Sequence, residues 1–198
     1  MTSIRPLRAF DAALARALTS GYTSTERYAL TSDVAQDHLG FSGAIVPCDP
    51  PFVKAWPLPG PAELERYAAL AAAGHAFGAY SDARAVGLAI CEPTAWNRSL
   101  TLCELHVAAD QRRRGVGRAL LAAVVEHAHG LGLRRVWLET QATNVPAIRF
   151  YMALGFAVVG LDLSLYGNDD AARGEVALFM ARAVEARTDL SARSTRAP

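Results

Sequence analysis

The chain has 198 residues, of which 52% are hydrophobic and 20% are charged, and its formal net charge is +1. This length suits one domain that buries a core without help from disulfides. The composition is that of a globular protein. The near-neutral charge argues against a surface built to bind nucleic acid or an anionic membrane.

The cysteines and the N-terminal segment indicate the cellular compartment in which the protein is expected. Cys48, Cys91 and Cys103 form no CxxC pair, and their odd number leaves at least one unpaired. Reduced thiols in the cytosol, with no metal site, are the expected state. Arg5 and Asp11 interrupt the N-terminal apolar residues. We therefore expect no signal peptide, no membrane span and a cytoplasmic location.

The first third of the chain gives few regular patterns. Residues 9–18 are predicted to form a short helix, and residues 22–30 are ambiguous, with a strand as one interpretation. Residues 48–61 are rich in proline, which is unfavourable inside helices and central strands, so an extended loop is predicted there. Pro61 suits the first position of a helix, which is predicted to run to Ala73.

The middle of the chain alternates strands with a helix. Residues 75–80 and 85–91 are predicted to form an antiparallel hairpin around a Ser81-Asp82 turn. Residues 100–108 alternate well enough for a third strand. An amphipathic helix is predicted over residues 115–131, because apolar side chains recur at helical spacing.

The last third completes an α/β pattern. We predict a strand at 135–140, a helix at 144–154 and two further strands at 156–163 and 175–181. This order predicts one α/β domain with a mixed sheet over residues 1–183. Residues 184–198 are polar and are predicted to form a flexible tail.

The connection between the third strand and the amphipathic helix has the features of an anion site. A strand that leads through glycines into a helix presents free backbone N–H groups and the positive end of the helix dipole. The glycines allow close approach of a phosphate, and arginines add charge. The predicted diphosphate-binding residues are Arg112, Arg113, Arg114, Gly115, Val116, Gly117 and Arg118.

Two other interpretations of this loop remain open. One is a solvated basic loop before a helix. The other is a dinucleotide-binding Rossmann unit, in which Glu139 would be the acid that binds the ribose. Leu120 replaces the third glycine of that motif, and a long run of residues separates the strand from Gly115. Both departures count against the Rossmann interpretation.

Two motifs together resemble a known superfamily. Arg112-x-x-Gly115-x-Gly117 after a strand resembles the R/Q-x-x-G-x-G/A signature of the GNAT superfamily of N-acetyltransferases. The segment from Asn144 to Tyr151, followed by Gly155-Phe156, resembles its second motif. The resemblance implies a GNAT-like acyl-CoA N-acyltransferase fold that uses acetyl-CoA. It also implies that the backbone of Leu105, His106 and Val107 holds the thioester carbonyl.

The second motif has a geometry that fits this role. Asn144 and Tyr151 are seven residues apart, which is about 700° of helix, so they lie on nearly the same face. The resemblance implies that Asn144, Ala147 and Tyr151 follow the pantetheine arm, with Tyr151 near the sulfur. The alternative is that Asn144 is only a helix N-cap and Tyr151 only a core residue.

A narrower resemblance extends over most of residues 46–181. These segments are similar to streptothricin acetyltransferases, which acetylate the β-lysine amine of an antibiotic and so confer resistance. The similar segments are Pro50-Pro51-Phe52-Val53-Lys54, Trp96-Asn97, Leu138-Glu139-Thr140-Gln141, Asn144-Val145-Pro146-Ala147 and Gly160-Leu161-Asp162-x-x-x-Tyr166. The implied acceptor is a primary amine of a small molecule, contacted by Trp96, Asn97, Asp162 and Tyr166.

The resemblance also implies a direct attack in a ternary complex. An alkylamine must lose a proton before it attacks a thioester, so a general base is needed. Glu104 is the predicted base, and Tyr151 is the predicted acid that protonates the departing thiolate. Cys103, not Glu104, aligns with the usual glutamate, and Arg98 stands where such enzymes often carry an acid. A bulge would be needed to turn Glu104 to the correct side of the sheet.

Other functions remain open. A protein or peptide N-acetyltransferase would need an open groove, and a non-catalytic acetyl-CoA sensor would not need a retained acid and base. A nicotinamide oxidoreductase would follow from the Rossmann interpretation. Many superfamily members pair through sheet edges, so a homodimer is compatible with the sequence.

Overall fold

The computed structural model describes residues 2–185, in which strands and helices alternate along the chain. The strands are β1 (Thr2–Pro6), β2 (Tyr22–Ala35), β3 (His38–Lys54), β4 (Ala76–Ser81), β5 (Arg84–Thr94), β6 (Ser99–Val107), β7 (Arg135–Gln141), β8 (Ala157–Asp162) and β9 (Ala177–Ala183). The helices are α1 (Ala12–Leu18), α2 (Pro61–Ala72), α3 (Val116–Gly130), α4 (Val145–Met152) and α5 (Asp170–Arg173), with a 3₁₀ turn at Ala109–Gln111.

A seven-stranded sheet in the order β1-β4-β5-β6-β7-β9-β8 organises the fold. Its described pairs are antiparallel except β6 with β7, which are parallel and connected through α3. The predicted mixed α/β sheet is confirmed, as are the β4–β5 hairpin and the β6-α3-β7-α4-β8-β9 order.

The parallel pair separates soon after it begins. β6 and β7 pair only where Ser99 to Thr101 lie beside Arg135 to Trp137. Beyond Thr101 the two strands diverge, so each leaves one row of backbone groups without a strand partner. This separation opens a gap in the middle of the sheet.

Two apolar clusters cover the two faces of the sheet. Leu88 and Ile90 of β5 pack with residues of α1 and α2, whereas Ala89 and Cys91 pack on the other face with residues of α3. This alternation is what a central strand buried on both faces requires. Leu131, at the end of the predicted amphipathic helix, is 43% exposed because α3 ends at Gly130.

The proline-rich segment is not a loop throughout, as the sequence predicted. β3 continues to Lys54 and pairs with β2 in a separate two-stranded ribbon. Glu26 pairs with Pro47 and Ser24 with Phe52, so residues 48–51 bulge outward opposite Thr25. Prolines are tolerated here because both strands of a two-stranded ribbon are edge strands. The ambiguous strand at residues 22–30 is confirmed as β2 and is longer than expected.

The ends of the chain also differ from the prediction. β1 and α5 were not predicted, because each is short and β1 ends in a proline. Val184 donates its N–H to the carbonyl of Arg134 at 2.9 Å and packs on the core, so the ordered chain extends past residue 183. The rest of the predicted tail, residues 186–198, lies outside the described residues.

Two histidines on neighbouring elements form a pair that predicts acid sensitivity. His75 Nδ1 lies 2.9 Å from His127 Nε2 of α3, and Phe77 packs edge-on against His127. Partial burial, and then the neighbouring His75, lower the pKa of His127. The unfolded chain therefore binds this proton more tightly than the folded chain does. Stability from this site is present above about pH 6.5 and is lost as the pH falls below it.

We expect the free energy of unfolding to fall between pH 7.5 and 5.5, and His127→Gln to make this fall smaller. Glutamine keeps a polar side chain but does not titrate. Urea unfolding at the two pH values measures the effect. An identical pH dependence in His127→Gln and the original chain would contradict the prediction.

The start of α3 depends on a glycine in the left-handed region. Gly115 has φ of 85°, and no atom lies within 4 Å of the position where its Cβ would be. We expect Gly115→Ala to lower the free energy of unfolding by about 1 kcal/mol through backbone strain alone. Gly130→Ala is the matched control, since that site is also open but has no positive φ. Gly130→Ala should leave the free energy of unfolding unchanged or raise it. An equal loss of stability in the two variants would refute backbone strain as the cause.

Candidate active site

A cavity of about 320 Å³ lies where β6 and β7 separate. Residues from six parts of the chain form its wall: the end of α1, the segment between β3 and α2, the first turn of α2, the bulged half of β6, the end of β7 and one half-buried face of α4. They are Thr19, Trp56, Pro57, Pro59, Glu63, Leu102, Cys103, Glu104, Leu105, His106, Glu139, Thr140, Asn144, Ala147 and Tyr151. The cavity therefore brings the bulged half of β6 together with the second motif, on α4, whereas the residues of the predicted diphosphate loop are not part of its wall.

A bulge in β6 turns Glu104 into this cavity. Leu102 pairs with Cys91 and Glu104 pairs with Ile90, so Cys103 is the extra residue. Because of the bulge, Cys103 and Glu104 both lie on the α2 side of the sheet. The one-residue offset seen in the sequence is thus absorbed by the backbone, and Glu104 faces the predicted site.

Two side chains hold the Glu104 carboxylate in place. The Tyr67 hydroxyl of α2 donates to Glu104 Oε1 at 2.8 Å, and His106 Nε2 lies 2.6 Å from Glu104 Oε2. His106 and Glu104 are two residues apart on one strand, so their side chains share a face. From the sequence, only the backbone of His106 was expected to contribute, whereas in the structure its side chain contacts Glu104.

A second carboxylate enters the cavity from β7. Glu139 accepts a hydrogen bond from the Tyr166 hydroxyl. Its carboxylate is open to the cavity, yet partial desolvation by the surrounding walls raises its pKa, while the hydrogen bond from Tyr166 opposes this rise. From the sequence, Glu139 was considered only as the ribose-binding acid of the Rossmann alternative and not as a catalytic or substrate residue. Its position at the end of a strand, inside a matched motif, was the available signal.

Tyr151 of α4 lines the same cavity, and the charges of Glu104 and Glu139 both act on its phenol. Phe150 and Phe156 pack against its ring at centroid distances of 5.2 and 5.6 Å. Burial raises the pKa of Tyr151, and the charges of Glu104 and Glu139 raise it further. The phenol is therefore protonated at neutral pH and can donate its proton. None of the described residues is hydrogen-bonded to its hydroxyl.

The rest of the α4 motif lies beside Tyr151 on the cavity wall. Asn144 and Ala147 line the cavity on the same helix as Tyr151. Asn144 Oδ1 also accepts from the Ala147 N–H at 3.3 Å, which makes it the N-cap of α4. The capping role and a position on the cavity wall are thus compatible. The contact with a pantetheine arm stays a prediction.

The amides of β6 point in alternating directions. Ala108 donates its N–H to the Val86 carbonyl on β5 at 2.9 Å. Since the amides of an antiparallel strand alternate, those of Leu105 and Val107 face the gap left by β7. Two donors are therefore available for a carbonyl oxygen there. The predicted third donor, the His106 amide, faces β5 instead.

The predicted diphosphate loop leads from β6 into α3. Arg84 donates two hydrogen bonds to Asp110, at 2.8 and 3.0 Å, and these lower the Asp110 pKa to about 2. The amides at the start of α3 have no partner within the helix. Arg113, Arg114 and Arg118 are exposed around them. This set of donors fits a diphosphate.

Arg112 differs from the expectation of a phosphate ligand. Its Nε donates to the Val107 carbonyl at 3.2 Å, and its Nη2 donates to Ser20 Oγ at 2.6 Å and to the Gly21 carbonyl at 3.2 Å. The guanidinium is therefore occupied by protein acceptors. The sequence alone does not show that residues so distant along the chain lie beside it.

The N-terminal segment contributes to one wall of the cavity. The sequence alone left open whether this segment closes the active site. Thr19 and Trp56 line the cavity, and Tyr22 packs against Trp56 at a ring distance of 5.9 Å. The Tyr22 hydroxyl is hydrogen-bonded to Gln141 and Thr143 at 2.8 and 2.7 Å. Its burial raises the Tyr22 pKa to about 12. The hydroxyl is thus a fixed structural link between this wall and β7.

None of the four predicted substrate residues belongs to the cavity wall. Trp96 is 87% exposed, and Asn97 Oδ1 accepts from the Ser99 hydroxyl at 2.6 Å. Both residues lie in the β5–β6 turn, about 20 Å along β6 from Glu104. Asp162 accepts from the Ser164 N–H and so stabilises a turn.

Tyr166 lies outside the cavity wall but is connected to it. Its hydroxyl donates to Glu139, which lines the cavity. Of the four predicted substrate residues, Tyr166 is therefore the one with a contact to the site. Within residues 2–185, no cluster of three or more His, Cys, Asp or Glu side chains has metal-binding geometry. No helix in that range is long and apolar enough to cross a membrane.

Comparisons with known proteins show which acetyltransferases the chain is similar to. The chain is 36% identical to streptothricin acetyltransferase of Streptomyces lavendulae over 178 residues, which covers 89% of this chain and 92% of the relative. It is 36% identical to the ribosomal protein bS18-alanine N-acetyltransferase of Escherichia coli, over 41% of this chain and 53% of that relative.

Solved structures show the same fold. A crystal structure of nourseothricin acetyltransferase superposes with a TM-score of 0.72 at 30% identity, covering 93% of this chain and 99% of that one. A Bacillus anthracis protein solved with acetyl coenzyme A superposes with a TM-score of 0.70 at 20% identity. The model of the acetyltransferase (GNAT) family matches residues 47–156. The chain therefore belongs to the GNAT family and is an acetyl-CoA-dependent N-acetyltransferase.

Proposed function

We propose that the enzyme acetylates a primary amine of a small cationic molecule of the streptothricin class. The observation that carries this proposal is the pair of carboxylates, Glu104 and Glu139, that share one cavity with Tyr151. Two acids on opposite strands suit an acceptor that carries positive charge. The similarity to streptothricin acetyltransferase over 89% of the chain supports the same substrate class.

Acetyl-CoA supplies the activated acetyl group as a thioester. The amides at the start of α3, with Arg113 and Arg114, are positioned to bind its diphosphate. The amides of Leu105 and Val107 would hold the carbonyl oxygen of the acetyl group in the gap between β6 and β7. The reacting carbon would then lie beside the cavity proposed for the acceptor.

Proton transfer completes the proposed mechanism. The acceptor ammonium has a pKa near 10.4 in water, so it must lose a proton before attack. We assign Glu104 as the base, because His106 contacts its second oxygen and can share the proton. Glu139 would hold the ammonium group. Tyr151, kept neutral by burial and by the two carboxylates, would protonate the departing thiolate.

A thiol-release assay with acetyl-CoA tests the reaction. The amine panel contains streptothricin, lysine, an aminoglycoside and a peptide with an N-terminal alanine. We expect turnover with streptothricin. Preference for the peptide would favour the alternative of a protein N-acetyltransferase. The chain is 36% identical to the bS18-alanine enzyme over 81 residues. No turnover with any amine, despite coenzyme A binding, would favour a sensor.

The state of the cysteines is relevant to the cellular location of the protein. Cys48, Cys91 and Cys103 are all free thiols, which supports a cytoplasmic location.

The edge strand β8 carries the exposed side chains of Val158 and Val159. Pairing of two copies through this edge would cover them.

The two carboxylates are expected to respond differently to neutral substitution. Glu104→Gln should lower kcat by about 100-fold with little change in acceptor KM, since a general base acts in the transition state. Glu139→Gln should mainly raise acceptor KM, by about tenfold. Steady-state kinetics with streptothricin measures both. The opposite pattern would reassign the base to Glu139.

Tyr151→Phe should lower kcat by about 10- to 100-fold and leave the affinity for coenzyme A nearly intact, because phenylalanine keeps the ring packing but carries no proton. Kinetics and calorimetric titration with coenzyme A measure the two quantities. Tyr80→Phe is the control, since Tyr80 lies on β4 under Arg5, away from the cavity. Unchanged turnover in Tyr151→Phe would remove the acid role.

A further inference from the structure

Arg112 connects the predicted diphosphate loop to the segment that follows α1. Its backbone belongs to the loop that precedes α3, whereas its guanidinium contacts the segment after α1 through Ser20 Oγ and the Gly21 carbonyl. Its third contact is the Val107 carbonyl at the end of β6. One side chain therefore links the coenzyme loop, the bulged strand and the N-terminal segment.

The N-terminal segment carries part of the acceptor cavity. Thr19, directly before Ser20, lines the cavity. On its other side the segment is held by close packing: a Cβ on Gly21 would lie 1.5 Å from the Lys54 carbonyl oxygen. After Lys54 the chain continues to Trp56, which also lines the cavity. Holding Ser20 and Gly21 thus positions this whole wall.

We propose that Arg112 is a positioning residue that couples coenzyme binding to the acceptor wall. When the loop is fixed on a diphosphate, Arg112 is fixed with it and holds residues 19–22 against the cavity. Binding of the coenzyme then raises affinity for the acceptor, and by reciprocity the acceptor raises affinity for the coenzyme. This inference rests on the proposed function and assigns a specific regulation to the same site.

The contact geometry separates this role from simple phosphate binding. A phosphate ligand needs positive charge, which lysine also provides. The bridge between the Val107 carbonyl and Ser20 needs a forked guanidinium, which lysine cannot reproduce with its single ammonium group. Arg112→Lys therefore keeps the charge of the loop and removes the link.

The coupling is measured as the affinity for streptothricin with and without saturating coenzyme A. We expect coenzyme A to tighten streptothricin binding about five- to tenfold in the original chain. In Arg112→Lys this factor should fall to about one, and the acceptor KM should rise by a similar amount with kcat less affected. Affinity for coenzyme A alone should change little.

Two further variants provide matched controls. Arg114→Ala lies in the same loop and should weaken coenzyme A binding while the coupling factor persists. Ser20→Ala removes one acceptor of Arg112 and should lower the coupling in part. Combined with Arg112→Lys, it should add little, because both changes break the same link. Full additivity of the two would overturn the proposal.

Hydrogen exchange of residues 19–25 gives a readout that does not depend on the acceptor. Coenzyme A alone should slow exchange in this segment in the original chain and not in Arg112→Lys. Equal protection in both would overturn the proposal, as would absence of protection in the original chain. Failure to acetylate any amine would instead refute the proposed function and leave this exchange result interpretable.

Discussion

The separation of β6 from β7 after Thr101 is the constraint on which the site depends. Parallel strands that stay paired satisfy each other's backbone groups and leave no space between them. Here the bulge at Cys103 bends β6 where the pairing with β7 ends. The same irregularity opens the cavity, frees the Leu105 and Val107 amides and turns Glu104 into the cavity.

The electrostatics of the cavity follow from its shape. Glu104 and Glu139 approach from opposite strands, each held by a tyrosine hydroxyl, from Tyr67 and Tyr166 respectively. Their charges and burial together keep Tyr151 protonated. A site with two acids and a neutral phenol can hold an ammonium group, remove its proton and return a proton to a leaving thiolate.

The N-terminal third of the chain completes the site instead of merely extending the fold. α1 and α2 cover one face of the sheet and provide Tyr67, which holds the carboxylate of Glu104. The segments beside Gly21 and Lys54 supply Thr19 and Trp56 to the cavity wall. The link through Arg112 means that this wall and the coenzyme loop are physically continuous.

The sequence by itself determined the main elements, because helical and strand spacing are local properties of the chain, and the resemblance of its two motifs to the GNAT superfamily indicated the family. It also identified Glu104 and Tyr151 as members of one site. Only the tertiary structure decided which side Glu104 faces, that Glu139 joins it and that Trp96 does not. It also decided that Arg112 binds Ser20, since that contact and the bulge depend on packing between segments far apart in sequence.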